Sequence, residues 1–183
     1  MKFWATLAGY ELVWFCAVIG AGRGRAWPAI VGTLLFTAWS LANSRHRGIE
    51  LRLIVVALVL GVLLETIWVR SGLFYYAAPW PFAEAPAWIL ALWVAFALTI
   101  VPLFGYLHTR PWMAAAFGVI GGPLAYLGAA RGWHAVTMTA PVWQVLLWLA
   151  LGWGFAMPLL TMLARHWLQA STPTSLSPHR SAP

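Results

Sequence analysis

The sequence predicts an all-α protein: a polytopic transmembrane helical bundle of about six spans, with both termini in the cytoplasm. Three observations predict it. Of the 183 residues, 62% are hydrophobic and only 8% are charged, against about 25% charged in an ordinary soluble domain. The apolar residues fall into runs near the roughly 20 residues that a membrane span needs. The basic residues fall between those runs.

Each element follows in order. The first span covers Phe3 to Ala21, and Gly22-Arg23-Gly24-Arg25 makes a polar turn. Glu11 inside this stretch, with Arg23 and Arg25 after it, argues for a retained helix rather than a cleaved signal. The second span starts at Trp27-Pro28, where Pro suits a first helical turn, and ends at Asn43 to Arg47. The third covers Leu51 to Val69, too long for a strand despite its Val and Ile content. Ser71 to Pro86 is the longest loop, broken by Pro79, Pro81 and Pro86 and rich in aromatics. Such a segment is expected at the membrane interface. The fourth, fifth and sixth spans cover Ala87 to Leu107, Trp112 to Ala130 and Pro141 to Leu163. The chain thus divides into a membrane domain, 1–168, and a disordered Ser/Thr/Pro-rich tail, 169–183.

Orientation follows from charge. Six spans put Lys2, Arg45, Arg47, Arg52, Arg110, Arg165 and Arg180 on one side. They put Arg23, Arg25, Arg70 and Arg131 on the other. The richer side is expected in the cytoplasm. The net charge of +7 is therefore a topology signal, and no nucleic-acid partner is implied.

Several chemistries have no support. Cys16 is the sole cysteine, so an intramolecular disulfide and a cysteine metal cluster are both excluded. There is no Asp to complete a Ser-His-Asp set. No histidine pair has metal-ligand spacing, and no phosphate-binding or dinucleotide glycine motif occurs. Neither a metal nor a cofactor is expected.

Two acids inside apolar spans carry the functional expectation. Glu11 lies about 12 Å into the first span at 1.5 Å per residue. Glu65 lies in the outer half of the third. An intramembrane carboxyl group is costly and must be buried, protonated or paired. Both are candidate catalytic acids, although helix pairing accounts for Glu11 as well. Arg23 and Arg25, on the outer side, could reach Glu65 by snorkelling. Phe74, Tyr75, Tyr76 and Trp80 are candidates for an apolar ligand mouth. Of the fourteen Trp, Trp27, Trp68, Trp88, Trp112, Trp133 and Trp167 suit an interfacial belt, while Trp14, Trp93, Trp148 and Trp153 sit deeper. Ala114, Gly118 and Gly122 form a small-residue stripe that permits close helix approach, within the chain or to a partner.

Tyr10-Glu11-Leu12-Val13-Trp14-Phe15, Ser44-Arg45 with Glu50-Leu51, and Gly61 with Glu65 form one set of segments. Pro86-Ala87-Trp88 through Trp93, and Gly118 with Gly121-Gly122-Pro123-Leu124-Ala125-Tyr126, form another. Together they resemble a bacterial integral-membrane family, domain of unknown function 2878, from about Tyr10 to Leu163. The resemblance implies a multi-span fold in the bacterial inner membrane and an acid, often Asp, at the position of Glu65. It places Asn or another polar residue at the position of Glu11. It also implies Leu, Asn and His after Thr99, where this chain has Ile100, Val101 and Pro102.

Three functions stay open. The first is handling or modification of a membrane lipid or isoprenoid through a buried carboxyl group. The second is a small proton-linked transporter using Glu11 and Glu65. The third is an accessory protein, homo-oligomeric or bound to a membrane partner through the small-residue stripe.

Overall fold

A computed structural model describes residues 2–171. Six helices form the body: α1 (Lys2–Gly22), α2 (Trp27–Ala42), α3 (Arg47–Arg70), α4 (Ala87–Leu103), α5 (Pro111–Trp133) and α6 (Val142–Ala170). Two short strands, β1 (Phe74–Tyr76) and β2 (Val136–Met138), and a 3-10 turn at Gly105–Thr109 complete the described chain.

Length and composition make α1, α3, α5 and α6 able to cross a membrane. The helices α2 and α4 have 16 and 17 residues, or roughly 24 and 26 Å, slightly less than the ~30 Å hydrocarbon core. Pro86 precedes α4 and Pro102 lies in its last turn, so proline chemistry keeps it short. It stops at Leu103, four residues before the expected end, and Nε2 of His108 lies 3.0 Å from the freed Ile100 carbonyl. By contrast α6 continues past the expected domain boundary at 168 to Ala170. The rest of the expected tail, 172–183, lies outside the described residues.

The middle of the body is α4. It packs against α1, α2, α3 and α6 and buries Trp88, Ile89, Leu92, Trp93 and every residue from Ala95 to Ile100. A helix apolar all round belongs in that position. Although Pro123 removes a backbone donor, α5 runs unbroken through Gly121-Gly122-Pro123.

One end of the body holds the starts of α1 and α3 and the ends of α2 and α6. Lys2 Nζ donates to the Asn43 carbonyl at 2.8 Å, and Arg52 sits 5.8 Å from the ring centroid of Trp167. At the other end the long aromatic loop contributes β1, which pairs antiparallel with β2. Phe74 faces Met138, Tyr75 faces Thr137 and Tyr76 faces Val136. Strands of three residues are too short for periodicity to reveal. His134, in the left-handed region at φ 54°, ends α5 and turns the chain into β2.

Candidate functional site

The site begins with spacing on α3. Gly61, Glu65 and Trp68 fall on one face, at i, i+4 and i+7, and all three are buried. A Cβ on Gly61 would lie 2.7 Å from the Trp93 ring. With only hydrogen there, the Trp93 indole crosses α3 at this point. Its Nε1–H donates to Glu65 Oε1 at 2.8 Å.

Two phenols complete the shell. Tyr126 of α5 donates to Glu65 Oε1 at 2.5 Å. Tyr76 of β1 donates to Oε2, and the two phenol oxygens are 3.5 Å apart. Strand alternation aims Tyr76 inward: Phe74 and Tyr76 are buried while Tyr75 is exposed. Trp88 stands edge-on to Tyr76 at 5.3 Å, and its N–H bonds the Ala77 carbonyl at 2.9 Å, fixing the loop over the site. Phe74 and Trp68 close the remaining side, 5.7 and 6.0 Å from the Tyr126 ring.

Glu65 is fully buried. It is satisfied by three donors and by no cation; among the described residues the single ion pair is Arg70 with Glu84. Three hydrogen bonds offset the desolvation of a carboxylate. Its neutral form can instead donate a proton to a phenol oxygen. The arrangement can therefore hold the carboxyl in either protonation state.

Aromatic packing extends the cluster into α6. Trp93 stacks on Trp153 with centroids 4.5 Å apart and planes 7° from parallel. Gly122 leaves room for the Trp153 indole and Gly152 leaves room for Trp68. Three glycines on three helices thus form sockets for three tryptophans. Gly118 and Ala114 are buried on the same face of α5 as Gly122, and a Cβ on Gly118 would meet the Trp153 backbone. The small-residue stripe is occupied by α6 of the same chain.

A cavity of about 430 Å³ lies between α1, α4, α5 and α6, lined by Tyr10, Glu11, Phe96, Thr99, Gly118 and Trp153, among others. Its size falls in the ~300–1,000 Å³ range of ligand pockets. A smaller space of about 50 Å³ shares Tyr10, Trp14, Phe96, Ala125 and Trp153 with it and reaches Trp93 and Tyr126. The two spaces share wall residues, and the smaller borders two of the three donors that hold Glu65. The Trp153 Nε1–H is buried and has no hydrogen-bond partner among the described residues.

The expected site residues separate. Glu65, Phe74 and Tyr76 come together. Tyr75 and Trp80 are 54% and 62% exposed and lie outside the buried shell of Glu65. Arg23 and Arg25 are exposed at the α1–α2 turn and do not bond Glu65; the Tyr and Trp donors take that place. Glu11 lies apart from the cluster, exposed, in the wall of the large cavity. Trp68 and Trp88, expected in the interfacial belt, are buried at 2% and 0% exposure, whereas Trp27 and Trp112 are exposed. Sequence reasoning did not select Trp93 or Tyr126 for the site. The signal for Tyr126 was a phenol within an apolar span.

Four helices long and apolar enough to cross a membrane, together with a buried, hydrogen-bonded carboxyl group, suggest a membrane protein. The chain belongs to the family described as Protein of unknown function (DUF2878), whose model matches residues 3–159. No curated protein and no solved structure matches it.

Proposed function

We propose that the chain is a six-span protein of the bacterial inner membrane, with both termini cytoplasmic, that handles a membrane lipid or isoprenoid at the Glu65 cluster. The apolar body of the ligand occupies the large cavity, and its reactive end reaches Trp93 and Tyr126. One observation carries this reading. Trp93 and Tyr126 belong both to the wall of the inner space and to the hydrogen bonds of Glu65. The unpartnered Trp153 N–H adds a preference for a ligand with an acceptor oxygen, since a buried donor without a partner costs about 1–3 kcal/mol.

The proton balance is simple. Tyr126 gives its hydroxyl proton to the ligand and receives one from the neutral Glu65 carboxyl. The ligand ends one proton richer and Glu65 becomes a carboxylate. Tyr76, Tyr126 and Trp93 already point their donors at that carboxylate, so its charge is stabilised where it forms.

The test is a lipid and pigment mass profile of a deletion strain. Wild type, Glu65→Gln and Tyr126→Phe are restored at matched membrane levels. Wild type should restore a missing species and neither variant should. Full restoration by Glu65→Gln would overturn the proposal.

A further inference from the structure

At the end of the body that carries both described termini lies a second recess, of about 410 Å³. It is formed where α3 begins and α6 ends. Arg45, His46, Arg47, Arg52, Trp167 and Ala170 are among its walls. We propose that this recess binds a phosphate group, as carried by the headgroup of an anionic phospholipid.

Three arginines face one small volume. Arg47 uses Nη2 to donate to the Ala42 carbonyl at 2.9 Å, which anchors its guanidinium to the end of α2. Arg52 is held against Trp167, its guanidinium carbon 5.8 Å from the ring centroid. Arg45 is exposed. Among the described residues no carboxylate lies within ion-pair distance of any of the three. The nearest acid in sequence, Glu50, is buried at 2% exposure and is not part of the recess wall. Topology bias accounts for arginine in such a loop. It does not account for a recess whose wall holds three arginines and an aromatic ring against one of them.

The surroundings match a phospholipid. Leu51, beside Arg52 on α3, is an exposed apolar side chain, at 50%. Acyl chains have an apolar surface to follow from the headgroup position. Guanidinium groups suit phosphate because their planar forks donate two parallel hydrogen bonds. Basic recesses between membrane helices take anionic headgroups for the same reason.

The experiment titrates the purified full chain in detergent with dioctanoyl phosphatidylglycerol, dioctanoyl phosphatidylcholine and inorganic phosphate, each separately. Phosphatidylglycerol should bind to wild type and phosphatidylcholine should not. Arg45→Gln/Arg52→Gln should weaken phosphatidylglycerol binding about thirtyfold, given the worth of two interfacial cations. Saturation by inorganic phosphate alone, lost in the same variant, would assign the recess to free phosphate and keep its chemistry. Equal binding of the two lipids by wild type, or undiminished binding by the variant, would overturn the proposal. Should the double variant not fold, native mass spectrometry of wild type from an equimolar micelle of the two lipids decides. Preferential retention of phosphatidylglycerol supports the site, and equal retention overturns it.

Discussion

The Trp93 indole occupies the space where a side chain on Gly61 would begin. A Cβ there would lie 2.7 Å from two atoms of the ring. The contact is one turn from Glu65, which accepts the indole N–H. A glycine on one helix thereby sets the hydrogen bond of its own neighbour to another helix.

Gly61→Ala tests that relation. The ring is stacked on Trp153 and has little freedom to retreat. Overpacking of this kind costs about 1–3 kcal/mol. The purified variant should melt several degrees below wild type, and Gly61→Ala/Trp93→Phe should recover part of the loss.

Glu65 separates stability from chemistry. Glu65→Leu leaves the Tyr126 phenol and the Trp93 indole without an acceptor and Tyr76 with only the Tyr126 oxygen at 3.5 Å, at about 1–3 kcal/mol for each unpaired buried donor. Glu65→Gln retains an acceptor oxygen and should be much the milder in unfolding experiments. Both should fail in the lipid profile. Equal stability of the two variants would mean that the three donors find other acceptors.

Strand alternation gives a paired test at adjacent residues. Tyr76→Phe removes a buried hydroxyl that bonds Glu65 and should cost about 1 kcal/mol or more. Tyr75→Phe alters an exposed ring and should stay within about 0.5 kcal/mol of wild type. Thermal unfolding of the two proteins side by side checks this.

The α5–α6 contact predicts the fate of Gly118→Leu. The added side chain would meet the Trp153 backbone, so yield of folded chain should fall sharply. A folded monomer that has lost only a partner would contradict this.

Ala125 lines both the large cavity and the inner space. Ala125→Trp should fill part of both spaces, leaving Glu65 bonded as before. Loss of the lipid species with a melting temperature near that of wild type is the expected outcome.

Much of this architecture was legible as composition. Span-length apolar runs give the helices because a bilayer demands internally bonded backbone. Glu65 was legible because a carboxyl in such a run needs a partner. Its partners were not. Trp93 is 28 residues away and Tyr126 is 61, and no local rule links helices across such distances. Charge suggested arginine partners, but the chain uses neutral donors. The β1–β2 pair was illegible for a related reason, since each strand finds its register only across the whole of α4 and α5.

That separation has a consequence for biosynthesis. Glu65 is translated 61 residues before Tyr126, which at 5–20 residues per second is about 3–12 s. Through that interval α3 carries a carboxyl with an incomplete set of donors. Entry of α5 supplies the last of them. A single side chain therefore completes its hydrogen-bond shell only after α5 has been made.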